Sequence, residues 1–253
     1  MADAQRSMDI AKERGMSLKQ ILPHDWISSS PLVDGYLPAH VNKSKLIGEI
    51  ESRPDISKWS RESLLPTHVI VDFMSKMRQM PDAQFSTLGG AINAVINLAS
   101  SICQGPEYIH LVLDSYVKMS FKECERLRRG DEATGIAIID ISRDIPIPQQ
   151  LNTFWASKES KRNLHLLVRY IVCNNVCANP IIASSVVSDN EALPAIKFGN
   201  EVISELLNWI QEVNARVVAP VDWAARIKQC QRVVVKSNDS ESFALLLHFR
   251  NSV

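Results

Sequence analysis

The sequence predicts an α/β fold in which a parallel sheet is flanked by helices. Three apolar runs carry the expectation: Val69-Ile-Val-Asp72, Ile109-His-Leu-Val-Leu-Asp114 and Arg232-Val-Val-Val-Lys-Ser-Asn-Asp239 each read as a short strand that runs out into an aspartate. The second observation is what lies between and after the first two. Leu88–Cys103 (LGGAINAVINLASSIC) has apolar residues at helical spacing, and Ser120–Arg129 (SFKECERLRR) reads as an exposed basic helix. Strands alternating with helices point to parallel pairing, because parallel neighbours need a long crossover and a helix is the usual one.

In chain order, residues 1–65 read as an N-terminal extension and residues 66–253 as the α/β domain. Pro23, Pro31, Pro38 and Pro54 interrupt the extension, and Lys43–Ile50 (KSKLIGEI) is its one amphipathic stretch, a short helix. In the domain, Val69–Asp72 is the first strand, Leu88–Cys103 a helix and Ile109–Asp114 the second strand. Ser120 caps the basic helix and Gly130 stops it. Ile136–Ile141 (IAIIDI) has the composition of a strand, residues 148–172 have helical periodicity with a polar break at Ser157–Ser160, and Val202–Val218 reads as another helix. Ser242–Phe249 is apolar throughout, and its pattern does not choose between helix and strand.

A chain of 253 residues, 45% hydrophobic and 22% charged, can bury a sizeable core and does not have the composition of a disordered protein. Lysine plus arginine (28) equals aspartate plus glutamate (28), so any attraction to nucleic acid has to come from a local patch. Neither a span-length apolar run nor a signal peptide is visible, which sets the expectation of a soluble, intracellular protein with no membrane partner. Cys103, Cys124, Cys173, Cys177 and Cys230 are too scattered for a disulfide framework, and Cys173/Cys177 have no second pair at zinc spacing. The six histidines form no pair at metal spacing, no nucleophile elbow is present, and Leu88-Gly89-Gly90 lacks the Gly-Lys-Ser/Thr of a phosphate loop.

The strand-end acids are the strongest chemical lead. In an open parallel sheet, ligands sit beyond the carboxyl ends of the strands. If the three runs are parallel neighbours, Asp72, Asp114 and Asp239 share one crevice, where a hard divalent cation such as Mg2+ or Mn2+ would offset their repulsion. Two such ions can assist phosphodiester cleavage. Aspartate also closes strands simply because it suits turns and helix caps, and spacing alone leaves the two readings level. Lys118, Lys122, Arg126 and Arg129 follow the second strand; on a helix Lys122, Arg126 and Arg129 share a face that could hold backbone phosphates, or could be an ordinary solvated face.

Taken in order, several segments resemble a family of transposon-associated proteins that carry a PIN-like domain related to the flap endonucleases. HVNKSKLIGEIE (40–51) resembles that family's lysine-rich lead-in, and THVIVDFMSKMRQM (67–80) its first strand, with Asp72 at the first catalytic aspartate. HLVLDSYVKMSFKECERLRRG (110–130) is similar to the "VFDxY…S-x-K…ER-x-x-RG" block through Asp114, Tyr116, Ser120, Lys122, Glu125, Arg126, Arg129 and Gly130. PQQLNTFWASKESKRNLHLLVRYIV (148–172), QEVNAR (211–216, against "EEADTR") and KSNDSESFALLLHF (236–249, against "SPDTDVFVLLLHF") complete the series. The resemblance implies a Rossmann-like PIN domain that cleaves DNA or RNA with a divalent metal. It also implies that Asp72, Asp114, Glu212 and Asp239 are catalytic metal ligands, with Asn214 and Glu241 completing the set.

The departures have consequences. Phe73 stands where the family has glycine, Asn214 where it has aspartate, and Glu241 where it has a second aspartate. One formal charge is lost, which implies weaker divalent binding. The chain ends soon after the last matched block, which sets the expectation of a shortened carboxyl-terminal part. The alternative expectation is an inactive PIN-like remnant that binds nucleic acid or protein.

Overall fold

A computed structural model describes residues 33–34, 37–38, 52, 67–79, 85–115, 141–148, 151–174, 179–188, 191–208 and 213–249. The chain divides into two compact units, Met1–Ser57 and Lys58–Val253. In the first, β1 (Val33–Asp34) pairs antiparallel with β2 (Leu37–Pro38). The helix expected at Lys43–Ile50 lies outside the described residues.

The second unit is built on a six-stranded sheet. Its strands are β3 (Thr67–Asp72), β4 (Tyr108–Val112), β5 (Ile181–Ala183), β8 (Ala195–Lys197), β9 (Glu201–Ile203) and β10 (Arg232–Lys236), in the spatial order β10-β3-β4-β5-β8-β9. Strands β10, β3, β4 and β5 are parallel; β8 and β9 continue the sheet antiparallel. A separate hairpin joins β6 (Val186–Ser188) to β7 (Glu191–Leu193). Every residue of β3 is buried, as expected of a central strand covered on both sides.

Helices lie on both faces, a generic Rossmann-like arrangement. On one face, α1 (Phe73–Gln79), α2 (Leu88–Ser100), α3 (Leu151–Ala156) and α4 (Lys158–Asn174) pack through Phe73, Ile92, Phe154 and Leu164 onto Val69, Val71, Ile109 and Leu111. On the other, α5 (Val213–Arg216), α6 (Val218–Asp222) and α7 (Ser240–Phe249) cover Ile70, Val112, Val233 and Val235 through Val217, Val221 and Leu246. Helix α6 runs straight into a π-helical turn, Trp223–Ile227.

Local chemistry explains the helix starts. Thr87 caps α2, its hydroxyl accepting from Gly90 N at 3.1 Å. The next two amides donate to a distant segment, Leu88 N to Ile145 O and Gly89 N to Arg143 O, both at 2.9 Å. A Cβ on Gly89 would lie 2.7 Å from Arg143 O, so only glycine permits this approach. The polar break predicted at Ser157–Ser160 is a cap: the Ser157 hydroxyl accepts from Ser160 N at 3.2 Å and opens α4.

One expected element is wrong. Val202–Val218 is no single helix: Val202 and Ile203 belong to β9, Ser204–Leu206 is a 3-10 turn, and α5 begins only at Val213. Tertiary pairing overrides the helical pattern here, because β8 offers the β-branched pair an edge to join. Ser242–Phe249, left open by its pattern, belongs to the helix Ser240–Phe249. The basic helix expected at Ser120–Arg129, and residues 136–140 of the strand expected at Ile136–Ile141, lie outside the described residues.

Candidate functional site

Taken in chain order, the parallel strands β3, β4, β5 and β10 are the first to fourth; in space they lie third, second, first, fourth. The order therefore reverses between β3 and β10, and in such sheets the crevice for a ligand opens there, beyond the carboxyl ends. Asp72 ends β3, Asp114 lies two residues past β4, and Asp239 lies three residues past β10. All three thus leave adjacent parallel strands by the same edge.

Their local roles differ. Asp72 is buried, and its Oδ1 accepts from Ser75 N at 2.9 Å, closing the first turn of α1. Asp239 Oδ1 accepts from Glu241 N at 3.0 Å and starts α7, leaving Glu241 exposed on the first turn. Asp114 sits on a braced turn. His165 on α4 donates Nδ1–H to the Asp114 carbonyl at 2.9 Å, which makes Nδ1 the protonated nitrogen. Next to it, Leu113 N donates to Ser184 Oγ at 2.9 Å. Arg169 in turn clamps the Ser184 and Pro194 carbonyls, both at 2.7 Å.

Basic side chains lie near two of these carboxylates, Asp114 and Asp72. Arg216 on α5 is almost fully buried and donates to Ser115 Oγ. Burial pushes its guanidinium down to about 10, with Asp114 opposing the shift and Arg169 adding to it. Lys161 and His165, one turn apart on α4, are also buried. Burial pulls His165 down to about 4, against Asp114, which favours its charged form; Arg216 and Lys161 lower it further. Beside Asp72, Lys76 is held below the usual lysine range first by burial and then by Lys236, while Asp72 pulls the other way.

No protein-family model, curated protein or solved structure matches this chain.

Carboxylate oxygens are the right donors for Mg2+ or Mn2+. Yet among the described residues no three His, Cys, Asp or Glu side chains stand together in a group that could hold an ion. Glu212, which the resemblance adds to the set, and the side chain of Asn214 lie outside the described residues, as do Lys118, Lys122, Arg126 and Arg129. The described donors are therefore right in kind and incomplete as a set.

Phe73, the bulky residue in place of glycine, does not fill the crevice. Its ring is buried in the core and meets the His165 ring edge-on, with centroids 6.1 Å apart. Sequence reasoning missed Lys76, Lys161, His165, Arg216 and Lys236. A signal existed for two of them: Lys161 and His165 fall on the apolar stripe of α4 with Leu164 and Val168, where a polar residue has a specific reason to be.

Proposed function

We propose that the Lys58–Val253 unit is a PIN-like domain of the nuclease class, acting on the phosphodiester bonds of DNA or RNA at the carboxyl edge of β3, β4 and β10. One observation carries the reading: Asp72, Asp114 and Asp239 leave three adjacent parallel strands at the point where strand order reverses. The resemblance of the same segments to the flap-endonuclease-related family supports it, with Glu212, Asn214 and Glu241 as further ligands.

A bound Mg2+ or Mn2+ would supply an activated water and charge offset for the leaving oxygen. The chain's own residues have definable work. Asp72 and Asp239 fix the starts of α1 and α7, His165 and Ser184 hold the Asp114 turn, and the buried Arg216 adds positive potential beside Asp114. In the family's manner, Lys118, Lys122, Arg126 and Arg129 would supply a cationic surface.

A second reading, a module that binds nucleic acid without cutting it, is favoured by one specific observation. The acids have work within the fold: Asp72 and Asp239 each bind a backbone N–H, and Asp114 lies in the field of Arg216. The two readings separate in one assay. Purified protein is incubated with single-stranded, flap and hairpin DNA and RNA, with Mg2+ or Mn2+, beside Asp114→Asn. Metal-dependent cleavage that disappears in the variant supports the nuclease. Tight binding without cleavage supports the module, and neither activity overturns both.

A further inference from the structure

Two lysines lie on the same face of the sheet at the reversal point, one at the end of β10 and one on α1. Lys236 ends β10 in register with Val71 of β3, and residues paired across parallel strands point to the same face. Val71 faces the core that α1 packs against, so Lys236 looks toward α1. Helix α1 starts directly after Asp72 and turns Lys76 inward with Phe73, Met74 and Met77. Lys76 is 6% exposed, and its Nζ donates to a neutral acceptor, Gln79 Oε1, at 2.8 Å. Among the described residues neither lysine is in an ion pair.

A partly buried ammonium whose partner is neutral is disfavoured, and a second ammonium nearby adds repulsion. An anion seated between the two would remove both penalties. The direction of the Lys76 shift agrees: burial and Lys236 both disfavour its charge, and Asp72 offsets them only in part. A snorkelling lysine is the plain alternative, but snorkelling carries the head group to water, away from like charge.

We propose that Lys76 and Lys236 form a phosphate-binding site at the β3/β10 reversal point. Resting on the nuclease-class reading for its source, the phosphate belongs to a nucleic-acid backbone. The site sets the register of that backbone beside Asp72 without reading sequence.

The test uses the full chain in EDTA, so that metal chemistry plays no part. Thermal unfolding is followed with and without inorganic phosphate. Binding of a labelled single-stranded oligonucleotide is followed by anisotropy across a salt series. Lys236→Gln, at an exposed position, and Lys76→Gln are compared with the unaltered protein. Each variant is expected to bind the oligonucleotide roughly fivefold more weakly, with a salt slope reduced by about one.

Oligonucleotide binding that is weakened in the variants supports a backbone phosphate. Stabilisation by inorganic phosphate alone, lost in Lys236→Gln, supports the site and assigns its phosphate to a small ester. Variants that respond like the unaltered protein, or an unaltered protein that responds to neither probe, overturn the site. Absence of cleavage in the metal assay leaves these readouts unchanged, so the two proposals fail separately.

Discussion

On one face of the sheet, Val69, Val71, Ile109 and Leu111 meet helices α1, α2 and α4 in an apolar core. The polar groups buried on those helices, Lys76, Lys161, His165 and Arg169, are placed near the carboxyl rim: His165 reaches Asp114 and Arg169 reaches Ser184. The other face is different. There His68 and His110 lie mid-sheet, their ring centroids 6.1 Å apart, beside Tyr108 and under Trp223, and neither imidazole has a hydrogen-bond partner among the described residues. Polar groups near the rim find polar partners there, among them the Asp114 and Ser184 carbonyls. Those in the middle of the other face lie among aromatic rings, with Arg216 also acting on His110, and the fold tolerates them by keeping them neutral. The apolar middle of the first face therefore responds to lost volume, while the histidines of the second face, and His165 at the rim, respond to protons.

The strongest test of that contrast is a cavity on the first face. Leu111→Ala should lower unfolding free energy by about 2–5 kcal/mol, and by the same amount at pH 7 and pH 5, in urea titrations. A cost that grows steeply with acid would break the distinction.

Next in size is the acid response itself. Burial pushes His68 from 6.5 to about 4, and His110 well below 6.5, with His68 and Arg216 adding to the effect on His110. Above pH 6.5 these rings are neutral in folded and unfolded chain alike. As pH falls from 6.5 toward 4, the unfolded chain takes up protons that the folded one refuses, so stability is lost across that window. His68 alone is expected to account for about 3 kcal/mol. His165 adds a similar loss from the rim, where burial holds it at about 4. His68→Leu should keep its stability at pH 7 and flatten the slope between pH 6.5 and 4; an unchanged slope would clear His68 of the effect.

Two smaller effects sharpen the picture at the rim. Arg169→Met keeps the packing but leaves the Ser184 and Pro194 carbonyls without their donor, at a cost of about 2 kcal/mol in urea titration. Because Ser184 also holds the Asp114 turn, any cleavage activity should fall with it. Asp72→Asn keeps an oxygen for Ser75 N and should change stability by less than about 1 kcal/mol. If Asp72 serves chemistry as well as the cap, metal-dependent cleavage is lost in a protein that unfolds almost normally; retained cleavage would leave it a cap alone.

Much of the parallel sheet was legible. Val69–Asp72 and Ile109–Asp114 are apolar because a strand covered on both faces needs apolar residues throughout, and the Val233–Val235 run marks β10 at the sheet edge. The caps at Thr87 and Ser157 follow from hydroxyls at helix starts. The remaining strands were not legible. Strands β5 to β9 are three residues each, too short for a period of two to stand out. One clue was overlooked there: Gly199-Asn200, both with left-handed backbone (φ 73° and 60°), turns β8 into β9. At the site, the aspartates could be read because strand ends mark themselves in sequence. The lysines and Arg216 could not, because only the fold brings β10, α1, α4 and α5 together.

The pairing of β10 with β3 also has a consequence in time. Strand β3 finds β4 about 40 residues further along the chain, but its other edge is filled only by β10, roughly 160 residues later. During synthesis that edge stays open, and its unpaired amides and carbonyls are available to another chain. The two walls of the crevice come from opposite ends of the unit, so the site is among the last features to form. A chain arrested before Arg232 would hold Asp72 and Asp114 but have no reversal point between them and a fourth strand, and it should be the form most prone to aggregate.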